Sequence, residues 1–267
     1  MLFKRIIVAV IFIPIFIFFI LKGGLYFLAL VCAIVAAGLF EFCQGEKEKG
    51  KDVILRNILL GVCIPLAAYF KGEEVLPFVI TFIIFTVFFW ELFKLKPPEA
   101  RFNIALSLGG ILYISYLFSF VVIMRQIPFV GAKLVITVFF ATWMGDTGAF
   151  VVGKIMGRHR FLPVYSAGKS LEGFIGAILF SLLAVFVSRI WIAFPLSHTF
   201  ILGLLFGTGG EMGDFFESML KRGLGIKDFG RILPGHGGVL DRFDSLFFTV
   251  PIFFYYTKYI IGFGGLS

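Results

Sequence analysis

The sequence predicts an all-α polytopic membrane protein: about nine transmembrane helices, with a polar cavity open to the cytoplasm. Three observations carry that prediction. The 267-residue chain is 60% hydrophobic and only 15% charged, too little charge to solvate a globular surface. Apolar runs of about twenty residues, the length that crosses a bilayer core, recur with no polar linker or low-complexity segment between them. The basic residues, moreover, fall unevenly between alternate connections.

In order, the runs place spans near residues 6–21, 25–43, 53–70, 75–93, 103–124, 133–153, 172–194, 198–217 and 242–262. The first follows Lys4-Arg5, as a signal peptide would. No small-x-small cleavage site follows Leu21, so it is read as a retained span. If the connections alternate, all Lys and Arg except Lys22, Lys71, Arg125, Lys133, Arg189 and Lys258 share one side, about three to one. Excess positive charge marks the cytoplasmic side. The amino terminus is then expected inside, the carboxyl terminus outside, and the protein in the inner (cytoplasmic) membrane of a cell. The formal net charge of +8 is accounted for by these membrane-flanking positions, which meet anionic headgroups, so no nucleic-acid partner is expected. Cys32, Cys43 and Cys63 have neither disulfide-framework nor metal-ligand spacing.

Residues 1–130 read as an N-terminal membrane scaffold and residues 131–267 as a catalytic half. In the scaffold, Glu41 and Glu91 sit near cytoplasmic span ends, where a charge is expected to reach water. Pro14, Pro65 and Pro77 are expected to kink or start helices, and residues 46–52 form a mixed-charge connector.

The second half differs in kind. Asp146 lies within the sixth span, where an ionisable group is costly and usually faces a polar cavity or a partner. The following connection carries Ser166, Lys169, Ser170, Glu172 and Gly173. Ser170 is placed to cap a helix starting near Leu171, with Lys169 beside it. Lys169-Ser170 is not a P-loop, because the glycine spacing is wrong and no strand precedes it. In the eighth span, Gly203 and Gly207 have the spacing of a close helix contact. Helical periodicity puts Glu211, Asp214, Ser218 and Lys221 on one stripe, with Glu217 beside it. Then comes the most charged stretch of the chain, Ser218 to Ser245. It holds Arg222, Lys227, Asp228, Arg231 and His236, and the non-helical run Leu233-Pro234-Gly235-His236-Gly237-Gly238, whose amides could cradle phosphate. Asp241 and Asp244 follow, three apart and on one face if a helix resumes. His198, beside an external connection, reads as incidental.

The predicted topology brings Asp146, Asp214, Asp241 and Asp244 to one inner face with the basic connections. Carboxylates suit Mg²⁺; Lys, Arg and glycine amides suit phosphate oxygens. No Cys/His set suggests zinc. The pattern points to metal-assisted phosphoryl or nucleotidyl transfer to a membrane substrate.

Ser218-x-x-Lys221-Arg222, then Lys227-Asp228, then Pro234-x-His236-Gly237-Gly238-x-x-Asp241-Arg242-x-Asp244 resembles the signature of the phosphatidate cytidylyltransferases, or CDP-diacylglycerol synthases. Gly145-Asp146-x-x-Ala149-Phe150 and Ser166…Lys169-Ser170…Glu172-Gly173 look like further family elements. The clear resemblance covers about residues 140 to 250. One departure stands out: the family commonly has Ser-Pro-Lys-Lys where this chain has Ser166-Ala167-Gly168-Lys169. The resemblance implies CTP plus phosphatidate giving CDP-diacylglycerol and pyrophosphate. It implies Mg²⁺ on Asp214 and Asp241, with a monovalent cation such as K⁺ as a second member, and a homodimer. Asp214, Asp241, Asp244, Lys221 and Arg242 are the expected catalytic groups. Asp146, Ser166, Lys169, Ser170, Glu172, Ser218, Arg222, Lys227, Asp228, His236, Gly237 and Gly238 are expected to bind substrate. Two alternatives remain open at this level. A CTP-dependent polyprenol kinase would need the same groups but release CDP. An ion-coupled transporter would spread its charges through the depth of the membrane. The pattern of the CDP-alcohol phosphotransferases is absent from this sequence.

Overall fold

Apolar helices in lipid satisfy every backbone group internally, which is why runs like these become rods. The computed structural model describes residues 2–45, 51–161, 166, 168–230 and 237–262. Among them are α1 (Leu2–Lys22), α2 (Gly24–Gln44), α3 (Lys51–Lys71), α4 (Leu76–Phe93), α5 (Pro97–Gly110), α6 (Leu117–Gln126), α7 (Gly131–Met156), α8 (Leu171–Ser188), α9 (Leu196–Gly223) and α10 (Leu240–Tyr256). A π-helical segment, Ile111–Tyr116, joins α5 to α6, and a second, Thr257–Ile261, extends α10. With α5 and α6 continuous, nine rods coincide with the nine predicted runs, among the described residues. No strand forms there beyond an isolated Arg160–Ser170 bridge.

Among the described residues, six rods are long and apolar enough to cross a membrane: α2, α3, α4, the α5–α6 rod, α7 and α8. The protein is an all-α, multi-pass membrane protein. α9 falls outside that set because Glu211, Asp214, Glu217, Lys221 and Arg222 interrupt its apolarity. The seventh run ends earlier than predicted, at Ser188, where the chain turns at Arg189, and α9 begins directly after Pro195. Pro14 and Pro65 lie inside α1 and α3, and Pro77 sits in the first turn of α4.

α8 packs between α7 and α9, and α9 against α10. Gly203 and Gly207 permit this: a β-carbon at Gly203 would stand 2.6 Å from the Leu182 Cα of α8. The predicted small-residue spacing thus finds its partner helix. α10 also touches α2 and α6, so the bundle is continuous across the turn at residue 130. Aromatic side chains from four helices meet there. Phe16 lies 4.7 Å from Phe139 and 6.0 Å from Phe243, while Phe118 lies 5.5 Å from Phe243. One apolar core runs through both halves.

The expectation that Glu41 and Glu91 reach water is corrected: they are 1% and 3% exposed. Glu91 of α4 pairs with Arg56 of α3 at 2.9 Å and accepts from Asn103 of α5 at 2.9 Å. Arg56, counted above as a membrane-flanking cation, is itself buried and also donates to Ser107 at 2.6 Å. Loss of one partner strands the other charge in low dielectric, whereas replacing both with apolar groups does not. Glu91→Ala is therefore expected to destabilise the helical bundle by about 3–5 kcal/mol. The double variant Arg56→Met, Glu91→Leu should recover most of that loss, as thermal unfolding in detergent would report.

Candidate functional site

The site is built where α9 and α10 touch backbone to backbone. Gly213 allows it, since a β-carbon there would stand 2.6 Å from the Asp244 carbonyl oxygen. Asp214 follows Gly213, Glu217 comes one turn later, and Asp244 faces them from α10. Carboxylate oxygens of Asp214, Glu217 and Asp244 all lie within 4.8 Å of one another. Glu217 is wholly buried.

Three carboxylates this close need cations. Lys221 bonds Glu217 at 2.5 Å and Asp241 at 3.0 Å, so one ammonium joins α9 to α10. From the turn before α8, Lys169 pairs with Asp214 at 2.7 Å and stands 3.5 Å from Glu211. Its ammonium also lies 3.9 Å from the Phe215 ring centroid. Ser218 donates to Asp214 at 3.4 Å. Asp146, on α7, accepts from Ser245 of α10 at 3.0 Å. Charges on α7, α9, α10 and the turn before α8 thus form one connected group.

Between α7, α8 and α9 lies a cavity of about 600 Å³. Asp146, Lys154, Arg160, Lys169, Glu211 and Asp214 line it, and Phe150 and Phe174 add an apolar wall. Ser166 and Ser170 border it as well. A larger groove of about 740 Å³ between α4 and α5 has nearly all-apolar walls and none of the three clustered carboxylates. In a membrane helix such a surface simply faces lipid.

Not every predicted residue joins the group. Ser170 caps α8 as expected, accepting from the Gly173 amide at 3.1 Å. Glu172 turns to the preceding turn instead, accepting from the Arg158 amide at 3.1 Å and pairing with His159 at 2.6 Å. Lys227 and Asp228 are exposed beyond the end of α9. Arg222 and Arg242 are exposed at helix ends. His236 and Arg231 lie outside the described residues. Gly237 has φ +82°, a conformation open to glycine, and the Gly238 amide donates to Asp241 at 2.8 Å. Asp241 therefore stands beside the three-carboxylate group, bonded to Lys221 and Gly238.

Three participants were not assigned from the sequence. Glu211 and Glu217 were visible as carboxylates on or beside the α9 stripe. Glu41 was visible only as a charge in an apolar run. Its partner is on α10: Glu41 accepts from the Leu240 amide at 2.9 Å, 199 residues away. A β-carbon at Gly238 would stand 2.5 Å from the same carboxylate. α2 thus holds the segment that leads into Asp241 and Asp244.

A sequence profile of the cytidylyltransferase family matches residues 3–260, nearly the whole chain. The chain belongs to the cytidylyltransferase family. Among similar curated proteins are phosphatidate cytidylyltransferases of Staphylococcus saprophyticus, 42% identical, and Staphylococcus aureus, 44% identical, each over 124 residues. Each match covers 46% of this chain and 48% of the relative, so the chain spans about half the length of the curated relatives it matches.

Holding the Leu240 amide is a local task that this cytidylyltransferase-family chain delegates to Glu41, and amide exchange reads it. Glu41→Ala is expected to speed hydrogen exchange at Gly238 and Leu240, while Glu41→Gln, which keeps a carbonyl acceptor, should leave them near the parent rate. Equal protection in the Ala variant would mean that another contact holds the segment.

Proposed function

We propose that this protein transfers CMP from CTP to phosphatidate, giving CDP-diacylglycerol and pyrophosphate, at the cytoplasmic face of the inner membrane. The observation that carries this reading is the cavity between α7, α8 and α9. Cations and carboxylates line it beside an apolar wall, in a chain of the cytidylyltransferase family whose relatives include phosphatidate cytidylyltransferases. Such a mixture suits a substrate with a charged head and acyl chains. Nine spans, an interior amino terminus and an exterior carboxyl terminus complete the reading, and the resemblance suggests a homodimer.

In this scheme an oxygen of the phosphatidate phosphate attacks the α-phosphorus of CTP. The bond from that phosphorus to the bridging oxygen breaks, and pyrophosphate leaves. No general base is required, because a phosphate monoester is already largely ionised at neutral pH. Both reactants are anions, so approach requires fixed positive charge. Lys221, pinned by Glu217 and Asp241, is a preorganised cation that need not reorient during the reaction. Lys169, Lys154 and Arg160 place further positive charge on the cavity. Phe150 and Phe174 give the acyl chains a path that keeps water from the phosphates.

The carboxylates fit a hard divalent cation. Asp214, Glu217 and Asp244 supply oxygen donors within 4.8 Å, and Asp241 lies next to them through Lys221. Mg²⁺ held there would offset phosphate charge, with a monovalent ion such as K⁺ as the second member. Relative to the pair Asp214 and Asp241 expected from sequence, this assignment adds Glu217 and Asp244 and gives Asp241 a second task, orienting Lys221. Asp214→Asn, Glu217→Gln and Asp244→Asn are each expected to lower turnover by about 100-fold or more, the scale of losing one preorganised charge at a reacting phosphate. Lys227→Ala, on an exposed turn, should change it little. Near-normal turnover in any carboxylate variant at ordinary Mg²⁺ would remove that residue from the set.

The decisive measurement is product analysis with purified protein. Pyrophosphate and CDP-diacylglycerol should form only when CTP, phosphatidate and Mg²⁺ are all present. Release of CDP instead would indicate γ-phosphoryl transfer and a lipid kinase. A cysteine placed at position 169 in a background lacking Cys32, Cys43 and Cys63 should label from the cytoplasmic side alone. Labelling from outside in sealed cells would invert the proposed topology.

A further inference from the structure

The α5–α6 rod is interrupted by a π-helical segment, Ile111–Tyr116, and Tyr113 lies within it. Single π-helical turns inside long helices disturb the regular bonding ladder and recur at functional sites. Here the segment turns an aromatic ring of the N-terminal half toward the helices that carry the carboxylates. Tyr113 is 6% exposed. Its ring packs 5.0 Å from Phe216 of α9 and 5.0 Å from Phe247 of α10. Phe216 lies between Asp214 and Glu217 in the chain, and Phe247 lies three residues beyond Asp244. The ring is therefore wedged between the two helices at the level of the three-carboxylate group. Its neighbours Phe216 and Phe247 lie on the same helices as Asp214, Glu217 and Asp244, so the phenol is buried beside that group. Yet the buried hydroxyl makes no hydrogen bond among the described residues.

A phenol buried without a partner is costly, and phenylalanine would fill the same space without that cost. An unpartnered donor buried between the two helices that carry the carboxylates has an obvious use. It can bond an oxygen that arrives with the ligand, either a water in a cation's shell or a phosphate oxygen.

We propose that Tyr113 is a further ligand-contacting residue of the site, donating its hydroxyl hydrogen to an oxygen that accompanies the cation or nucleotide bound at Asp214, Glu217 and Asp244. This rests on the cation and nucleotide site proposed above. No covalent step is involved. The tyrosine remains protonated and orients its acceptor.

The full chain in detergent tests this, as parent, Tyr113→Phe and Asp214→Asn. Mn²⁺ is titrated without nucleotide and followed by the electron paramagnetic resonance of the free ion. CTP binding is then measured at fixed Mn²⁺ without phosphatidate. Tyr113→Phe is expected to weaken one of these by about tenfold or more, the loss expected for one hydrogen bond to a charged ligand. Weaker Mn²⁺ binding identifies the acceptor as a water of the ion; unchanged Mn²⁺ but weaker CTP identifies a phosphate oxygen. The thermal midpoint of ligand-free Tyr113→Phe should equal or exceed the parent's, because an unpaired buried hydroxyl has been removed. If the parent binds both ligands, Asp214→Asn loses them, and Tyr113→Phe binds both as tightly as the parent, the Tyr113 assignment is wrong while the site stands. A lower thermal midpoint with unchanged binding would make the hydroxyl structural and equally overturn it. If the parent binds neither ligand, the proposed site falls, and this inference with it.

Discussion

Where Gly213 meets the Asp244 carbonyl, α9 and α10 are held too close for any side chain to intervene. The rest of the site follows from that contact. It draws three carboxylates within 4.8 Å of one another inside a largely apolar bundle. Like charges at that range repel strongly in low dielectric. The arrangement persists because Lys221 and Lys169 stand on either flank, each shared between two acids. Acids from α9 and α10 hold these lysines in turn, so the cations are in place before any phosphate arrives. Repulsion among the acids and attraction to the lysines together set the charge balance on which the proposed divalent-ion site rests.

The N-terminal half does more than fill space. Glu41 on α2 holds the Leu240 amide and leaves no room for a side chain at Gly238. Tyr113 reaches the same helices from the π-helical segment of the α5–α6 rod. The aromatic cluster of Phe16, Phe118, Phe139 and Phe243 bonds the halves through packing, the main force available between helices already in lipid. Further out, Arg56 and Glu91 tie α3 to α4 with a buried ion pair that Asn103 and Ser107 complete. Membrane helices of this kind are held to one another by small residues, aromatic contacts and a few satisfied polar groups. Each of those devices is present here at a named contact.

Much of this was legible in one dimension. The nine apolar runs were readable because bilayer thickness sets run length, and each run coincides with a rod. The Ser170 cap was readable because capping is local, a bond between residues three apart. The stripe of Glu211, Asp214, Ser218 and Lys221 followed from helical periodicity alone. Partners across helices were not readable in this way. Nothing in the chain says that Glu172 turns to His159, that Asp241 binds Lys221 beside the acid group, or that Glu41 serves α10 across 199 residues. Those contacts depend on how each rod is rotated and how closely it approaches its neighbours. Rotation and approach are decided by packing at Gly213, Gly203 and Phe243, where atoms from distant parts of the chain compete for one volume. The apolar helices, the Ser170 cap and the charged face of α9 were thus legible in the sequence, because hydrophobic run length and backbone hydrogen bonding act locally. The pairing of that face with α2, α10 and the π-helical tyrosine was decided only by the tertiary structure, because it is a property of shape between helices.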